Sequence, residues 1–191
     1  MLQRATRKTL LCLGLLLISS VAKAEIKSVS ILNLSNANDL SQMGVWEQNI
    51  LDPNQSIKME IVQDQSELLK ITFDVDSSAP AKVGFWLKLE ELDLSGYDCL
   101  HLKMKTESKP NFSGSYGIQF MNSQNRKAVY FLQGVRNEWR DFQIPLKKFK
   151  RIHDWTQIKY LEILISDSYA RPKEGILFIK DIFLSSAGMP I

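Results

Sequence analysis

Apolar and polar residues alternate along most of this chain with a period of two. Leu69, Ile71, Phe73 and Val75 fall on one face, with Lys70, Thr72 and Asp74 on the other. Val83, Phe85, Leu87 and Leu89 alternate with Gly84, Trp86 and Lys88, and Leu100, Leu102 and Met104 with His101, Lys103 and Lys105. Successive side chains of a strand point to opposite faces, so this is the pattern of half-buried strands. It predicts strands over 29–34, 57–62, 68–75, 83–89, 100–105, 116–121, 128–133, 139–144, 158–165 and 176–184. Asp52-Pro53-Asn54, Ser77-Ser78-Ala79-Pro80, Ser95-Gly96-Tyr97-Asp98, Asn122 to Asn125 and Arg171 to Gly175 supply turn residues between them. Short helical turns are expected over 38–43 and 146–150. About ten short strands at regular spacing predict an all-β, two-sheet antiparallel sandwich.

The N-terminus breaks this pattern. Arg4, Arg7 and Lys8 precede an apolar run over 9–21, and Ala22-Lys23-Ala24 offers small residues at a cleavage site. That layout is a secretory signal peptide over 1–24, and the run is too short to cross a bilayer comfortably as an anchor. The remaining 25–191 form one domain, expected in the periplasm or secreted, with no membrane span after cleavage. Cleavage also changes the charge. The 24 basic residues lose Arg4, Arg7, Lys8 and Lys23, leaving 20 against 21 acidic ones, or −1 where the whole chain is +3. No clustered basic surface of the kind that binds nucleic acid is implied. One cysteine, Cys99, remains, so no internal disulfide staples the domain and packing alone must hold it. A lone cysteine of this kind is expected to be buried.

Four segments resemble one family of jelly rolls. Asp93-Leu-Ser-Gly-Tyr-Asp-Cys-Leu-His-Leu-Lys-Met-Lys105 is similar to the strand-entry motif of galactose-binding-domain-like sandwiches. Glu138-Trp-Arg-Asp-Phe-Gln-Ile-Pro-Leu-Lys-Lys-Phe149 resembles their Trp…Ile-Pro-Leu…Phe signature. Gly175-Ile-Leu-Phe-Ile-Lys-Asp-Ile-Phe-Leu184 resembles their closing strand, and Asn38-Asp-Leu-Ser-Gln-Met-Gly-Val-Trp46 their N-terminal segment. The closest patterns are family 11 carbohydrate-binding modules and the complex I intermediate-associated assembly-factor domain. The first implies an exported, non-catalytic protein that holds a polysaccharide or oligosaccharide on one face of the sandwich. The second implies an envelope assembly or interaction factor that binds a protein partner through the same face. Such sandwiches also carry structural calcium, which needs several oxygen ligands. Here the acidic residue expected after the first strand is missing from Ile31-Leu-Asn-Leu-Ser-Asn36, and the closing acidic pair is reduced to Lys180-Asp181. Both departures count against calcium, and no cofactor is expected.

Sugar recognition needs a flat apolar ring beside polar donors and acceptors. With Phe85 and Leu87 in the core, alternation turns Trp86 and Lys88 outward, where Trp86 is either a platform or is covered by a loop or the N-terminal segment. His101 lies opposite Leu100 and Leu102, and Gln119 faces out if Ile118 and Phe120 are core. Tyr130 faces out if Val129 and Phe131 are core, but the run over 128–132 is apolar on both faces and leaves the register open. Trp86, Lys88, His101, Gln119 and Tyr130 are therefore the candidate carbohydrate-binding residues. Trp46 either lines a groove rim or anchors the N-terminal segment, while Trp139 and Trp155 are expected to pack around the Pro145 turn, with Phe149 folded over the sandwich end. Enzyme signatures are missing: there is no Gly-x-Ser-x-Gly elbow, His-Glu-x-x-His, Cys-x-x-Cys or phosphate-cradling glycine loop. Glu90 and Glu91 are adjacent, which in a regular strand points them to opposite faces.

Overall fold

The computed structural model describes residues 27–32, 34, 40–48, 52, 54–107 and 114–186. The expected signal peptide over 1–24 lies outside them. Among the described residues, eleven strands pair into two antiparallel sheets. They are β1 (Ser28–Ser30), β2 (Met43–Glu47), β3 (Ser56–Asp64), β4 (Ser66–Asp74), β5 (Lys82–Leu92), β6 (Cys99–Glu107), β7 (Gly114–Asn122), β8 (Lys127–Val135), β9 (Arg140–Pro145), β10 (Ile158–Ser166) and β11 (Glu174–Ser185). The first sheet runs β3-β4-β11-β6-β9, with β1 beside the end of β11; the second runs β2-β5-β10-β7-β8. Nine of the ten predicted strands form over most of their length; that expected over 29–34 is a strand only over Ser28–Ser30, with Leu34 in a 3-10 turn. The one not anticipated is β2, because the segment read as a helical turn over 38–43 ends its 3-10 turn at Leu40–Gln42 and enters the sheet at Met43.

The alternating apolar residues of both sheets face each other. Leu69, Ile71 and Phe73 of β4, and Leu100, Leu102 and Met104 of β6, meet Val83, Phe85 and Leu87 of β5 and Tyr116, Ile118 and Phe120 of β7 in one buried cluster. Phe73 and Tyr116 join the layers edge to face at 6.1 Å. The Tyr116 hydroxyl donates to Thr106 Oγ1 (3.3 Å), which donates in turn to the carbonyl of Ile176 (3.0 Å), so a polar group in the core is satisfied across the sheets. Burial pushes the Tyr116 phenol up to about 12.

Pro145 ends β9, a 3-10 turn follows at Leu146–Lys148, and Phe149 then closes the end of the sandwich as expected. Its ring meets Phe120 at 5.0 Å, Tyr130 at 6.1 Å and Trp155 at 6.1 Å. Trp155 packs there too, against Phe120. Trp139 does not: it precedes β9, at the far end from Pro145, with the Lys105 ammonium 5.1 Å from its ring centroid. Cys99 is buried, and burial raises its thiol pKa.

Candidate functional site on the outer face of the second sheet

The register of the second sheet lines up outward residues in rows across its five strands. One row is Gly44, Trp86, Glu162, Gln119 and Val129; the next is Trp46, Gly84, Leu164, Gly117 and Phe131. A third runs Lys88, Tyr160, Met121 and Lys127 across β5, β10, β7 and β8. Cross-strand partners share a face, so these rows make one surface, about 19 Å from β2 to β8 at the usual strand spacing.

Two indoles lean over bare backbone on this surface because two glycines leave room for them. A Cβ added at Gly84 would stand 2.5 Å from Trp46 Cε2, and one added at Gly44 would stand 2.7 Å from Trp86 Cζ2. Each tryptophan therefore leans across the strand pair onto bare backbone, in the manner that aromatic side chains cover strand glycines. Tyr160 stands edge-on to Trp86, with centroids 5.8 Å apart and planes at 82°. On the far side Phe131, 55% exposed, meets Tyr169 from the turn after β10 at 5.0 Å. The Tyr169 hydroxyl lies over Gly117, where a Cβ would come within 3.0 Å. That hydroxyl is buried without a hydrogen-bond partner among the described residues, and burial raises its pKa. Leu164 and Gly117 lie between the two aromatic groups but are covered: Leu164 is buried and Tyr169 lies over Gly117.

The polar groups of the surface are of two kinds. Gln119 donates to the Glu162 carboxylate, and both are buried, 5% and 8% exposed, so this pair is part of the floor. The lysines are more open. The Lys82 ammonium is 5.7 Å from the centroid of the Trp46 ring, and Lys88 stands two residues beyond Trp86 on the same strand, 4.0 Å from Glu90. Glu90 also accepts a hydrogen bond from Gln42 (3.0 Å). Glu90 and Glu91 both have positive φ, 48° and 61°, so they interrupt the regular alternation expected of them and β5 re-registers on β10 beyond this point.

Three of the five predicted residues, Trp86, Lys88 and Gln119, thus share this face. The other two do not join them. Tyr130 points inward against Phe149, because Val129 and Phe131 are the outward residues of β8, an edge strand whose outer face is not covered by the sandwich. His101 is outward but on the first sheet, where its ring stacks on Phe183 at 4.4 Å and hydrogen-bonds Ser185 Oγ at 2.8 Å. It is 5% exposed, and burial lowers its pKa. Tyr160, Glu162, Phe131 and Tyr169 were not foreseen. Alternation from Leu161 and Ile163 would have turned both Tyr160 and Glu162 outward; the register shift lies between Ile158 and Tyr160. Among the described residues, no group of three or more His, Cys, Asp or Glu side chains stands together as a metal site. A cleft at the corner of the first sheet, lined by Asp74, Asp76, Glu107, Arg171 and Lys173, carries charge but no exposed ring.

Solved structures share this arrangement of strands. The family 11 carbohydrate-binding module of a cellulosomal cellulase of Clostridium thermocellum superposes with a TM-score of 0.61 at 13% identity, over 84% of this chain and 94% of that one. The fold is that of a family 11 carbohydrate-binding module. A family 11 carbohydrate-binding module from Clostridium thermocellum in complex with a β-1,3-1,4-mixed-linked tetrasaccharide matches at 14% identity and a TM-score of 0.61, over 83% of this chain and 94% of that one. An exo-β-agarase matches at 10% identity and a TM-score of 0.60; the likeness covers 85% of this chain and 26% of the agarase. No family model and no curated protein matches the sequence. No helix among the described residues is long and apolar enough to cross a membrane.

Proposed function

We propose that this is an exported, non-catalytic carbohydrate-binding protein that holds a glycan chain across the outer face of its second sheet. The observation that supports this reading most is the pair of indoles, Trp46 and Trp86, seated over Gly84 and Gly44. A flat ring seated on backbone presents its other face, which is what the C–H face of a sugar stacks on. Tyr160 walls one side, and Phe131 and Tyr169 stand at the β8 end of the face, Tyr169 over Gly117. A chain laid across the strands would cross both aromatic groups, with Lys82 and Lys88 beside the indoles to meet its oxygens. The modules of like fold, one of them in complex with a tetrasaccharide, add weight to the same reading. His101 and Tyr130 take no part in it.

Affinity electrophoresis in gels containing soluble polysaccharides tests the proposal. The protein is expected to be retarded by at least one polysaccharide, and Trp86→Ala to weaken binding about tenfold, the scale of one aromatic contact of about 1.4 kcal/mol. Retardation by none of them contradicts the sugar reading and leaves the face to a protein partner. Retardation that Trp86→Ala does not change contradicts the site.

A further inference from the structure

Lysines flank the two indoles on the outer face of the second sheet. On the outer face of the first sheet Lys103 pairs with Asp141 at 3.6 Å, and Lys70 and Lys58 with Glu60 at 2.6 and 3.7 Å, whereas Lys105 lies over the Trp139 and Phe178 rings (5.1 and 4.9 Å) with no acid within 4.0 Å among the described residues. On the second sheet, Lys82 has no acidic partner within 4.0 Å among the described residues, although its ammonium stands by the Trp46 ring. Lys88 reaches Glu90 only at 4.0 Å, and that carboxylate is shared with Gln42. Lys127, at the β8 end of the Lys88 row, is exposed and likewise has no acid within that distance among the described residues. The acid at the centre of the face, Glu162, is buried and taken up by Gln119. Asp167, beyond the end of β10, accepts from the Ser166 hydroxyl at 3.2 Å.

An ammonium offers three donors and no acceptor. Beside the stacking rings Lys82 and Lys88 are open donors, Glu90 is an open carboxylate engaged by Lys88 and Gln42, and the central acid, Glu162, is buried. We infer that the glycan is acidic: Lys82 and Lys88, one beside each indole, receive carboxylate or sulfate groups on a polysaccharide whose sugar rings stack on Trp46 and Trp86. This inference rests on the glycan-binding reading and adds the ligand's charge to it. Charge-assisted hydrogen bonds to the two ammoniums select the anion, while the indoles select the ring.

The test uses affinity gels with three probes: polygalacturonate for carboxylate, carrageenan for sulfate and mixed-linked β-glucan as the neutral arm. The wild type should be retarded more by an acidic polymer than by the neutral one, and less so as salt is added. Retardation by polygalacturonate alone or carrageenan alone names the anion, and either supports the inference. Lys82→Gln and Lys88→Gln should each weaken acidic binding about two- to fivefold, the scale of an exposed ion pair. Lys103→Gln, on the other sheet, should leave it unchanged and so controls for net charge. Equal or stronger retardation by the neutral glucan, or acidic binding that Lys82→Gln and Lys88→Gln leave intact, overturns the acidic assignment while the glycan reading stands. Retardation by none of the three overturns both.

Discussion

A methyl group on Gly84 is the smallest change that should disturb the proposed platform. The added Cβ would stand 2.5 Å from Trp46 Cε2 and Nε1 and 2.7 Å from Cζ2, against an ordinary contact of about 3.5 Å. The indole must therefore retreat by about 1 Å or swing off the sheet. Overpacking of this kind costs about 1–3 kcal/mol, and the loss of chain freedom in the unfolded state returns about 0.4–1 kcal/mol for Gly→Ala. A net loss of about 1 kcal/mol is expected, which lowers Tm by about 2–4 °C in a domain of this size. Glycan affinity should fall with it, because the ring is displaced from its seat over Gly84. Gly96→Ala is the matched control, since nothing stands within 4 Å of a Cβ there. Thermal unfolding and affinity electrophoresis of the two variants read both effects. If Gly84→Ala matches Gly96→Ala in Tm and in retardation, the Trp46 ring is not held as described.

Phe149→Ala should cost about 3–5 kcal/mol in urea unfolding, because the ring is buried among Phe120, Tyr130 and Trp155; a loss under 1 kcal/mol would show that it does not plug the sandwich end. Thr106→Val removes the partner of the buried Tyr116 hydroxyl and should cost about 1–3 kcal/mol, and adding Tyr116→Phe should recover part of the loss. His101 is held below its usual 6.5 by burial, so the unfolded chain binds the extra proton first. Stability should therefore decline as pH falls below about 6.5 and level off only below the folded-state value. His101→Gln should flatten the denaturation midpoint over that window, and an unchanged slope would mean that His101 does not contribute to it.

Much of this was legible because period-two alternation reports in and out directly. Trp86 and Lys88 were placed correctly from Phe85 and Leu87 alone, and Gln119 from Ile118 and Phe120. Alternation is silent on which of two sheets an outward residue belongs to, and His101 shows the consequence: it faces outward, on the wrong side of the sandwich. It also fails where both faces are apolar. Val129 and Phe131 look like core residues, yet they are the exposed side of an edge strand, 37% and 55% exposed, and this sends Tyr130 inward. Trp46 could be flagged but not placed, because its strand is five residues long and follows directly on a 3-10 turn. Tyr169 reaches the face from a turn. Contacts of that kind depend on tertiary geometry that no local pattern encodes.

The chain has four tryptophans, two on the proposed face and two away from it. Their indole N–H signals in a ¹⁵N-labelled sample, followed while galacturonate oligosaccharides and a mixed-linked β-glucan tetrasaccharide are titrated in turn, test the central claim most directly. The signals of Trp46 and Trp86 should shift and those of Trp139 and Trp155 should stay in place. Movement of Trp139 or Trp155 without Trp46 and Trp86, or no movement with a sugar that the gels show to bind, would contradict the assignment of the outer face of the second sheet.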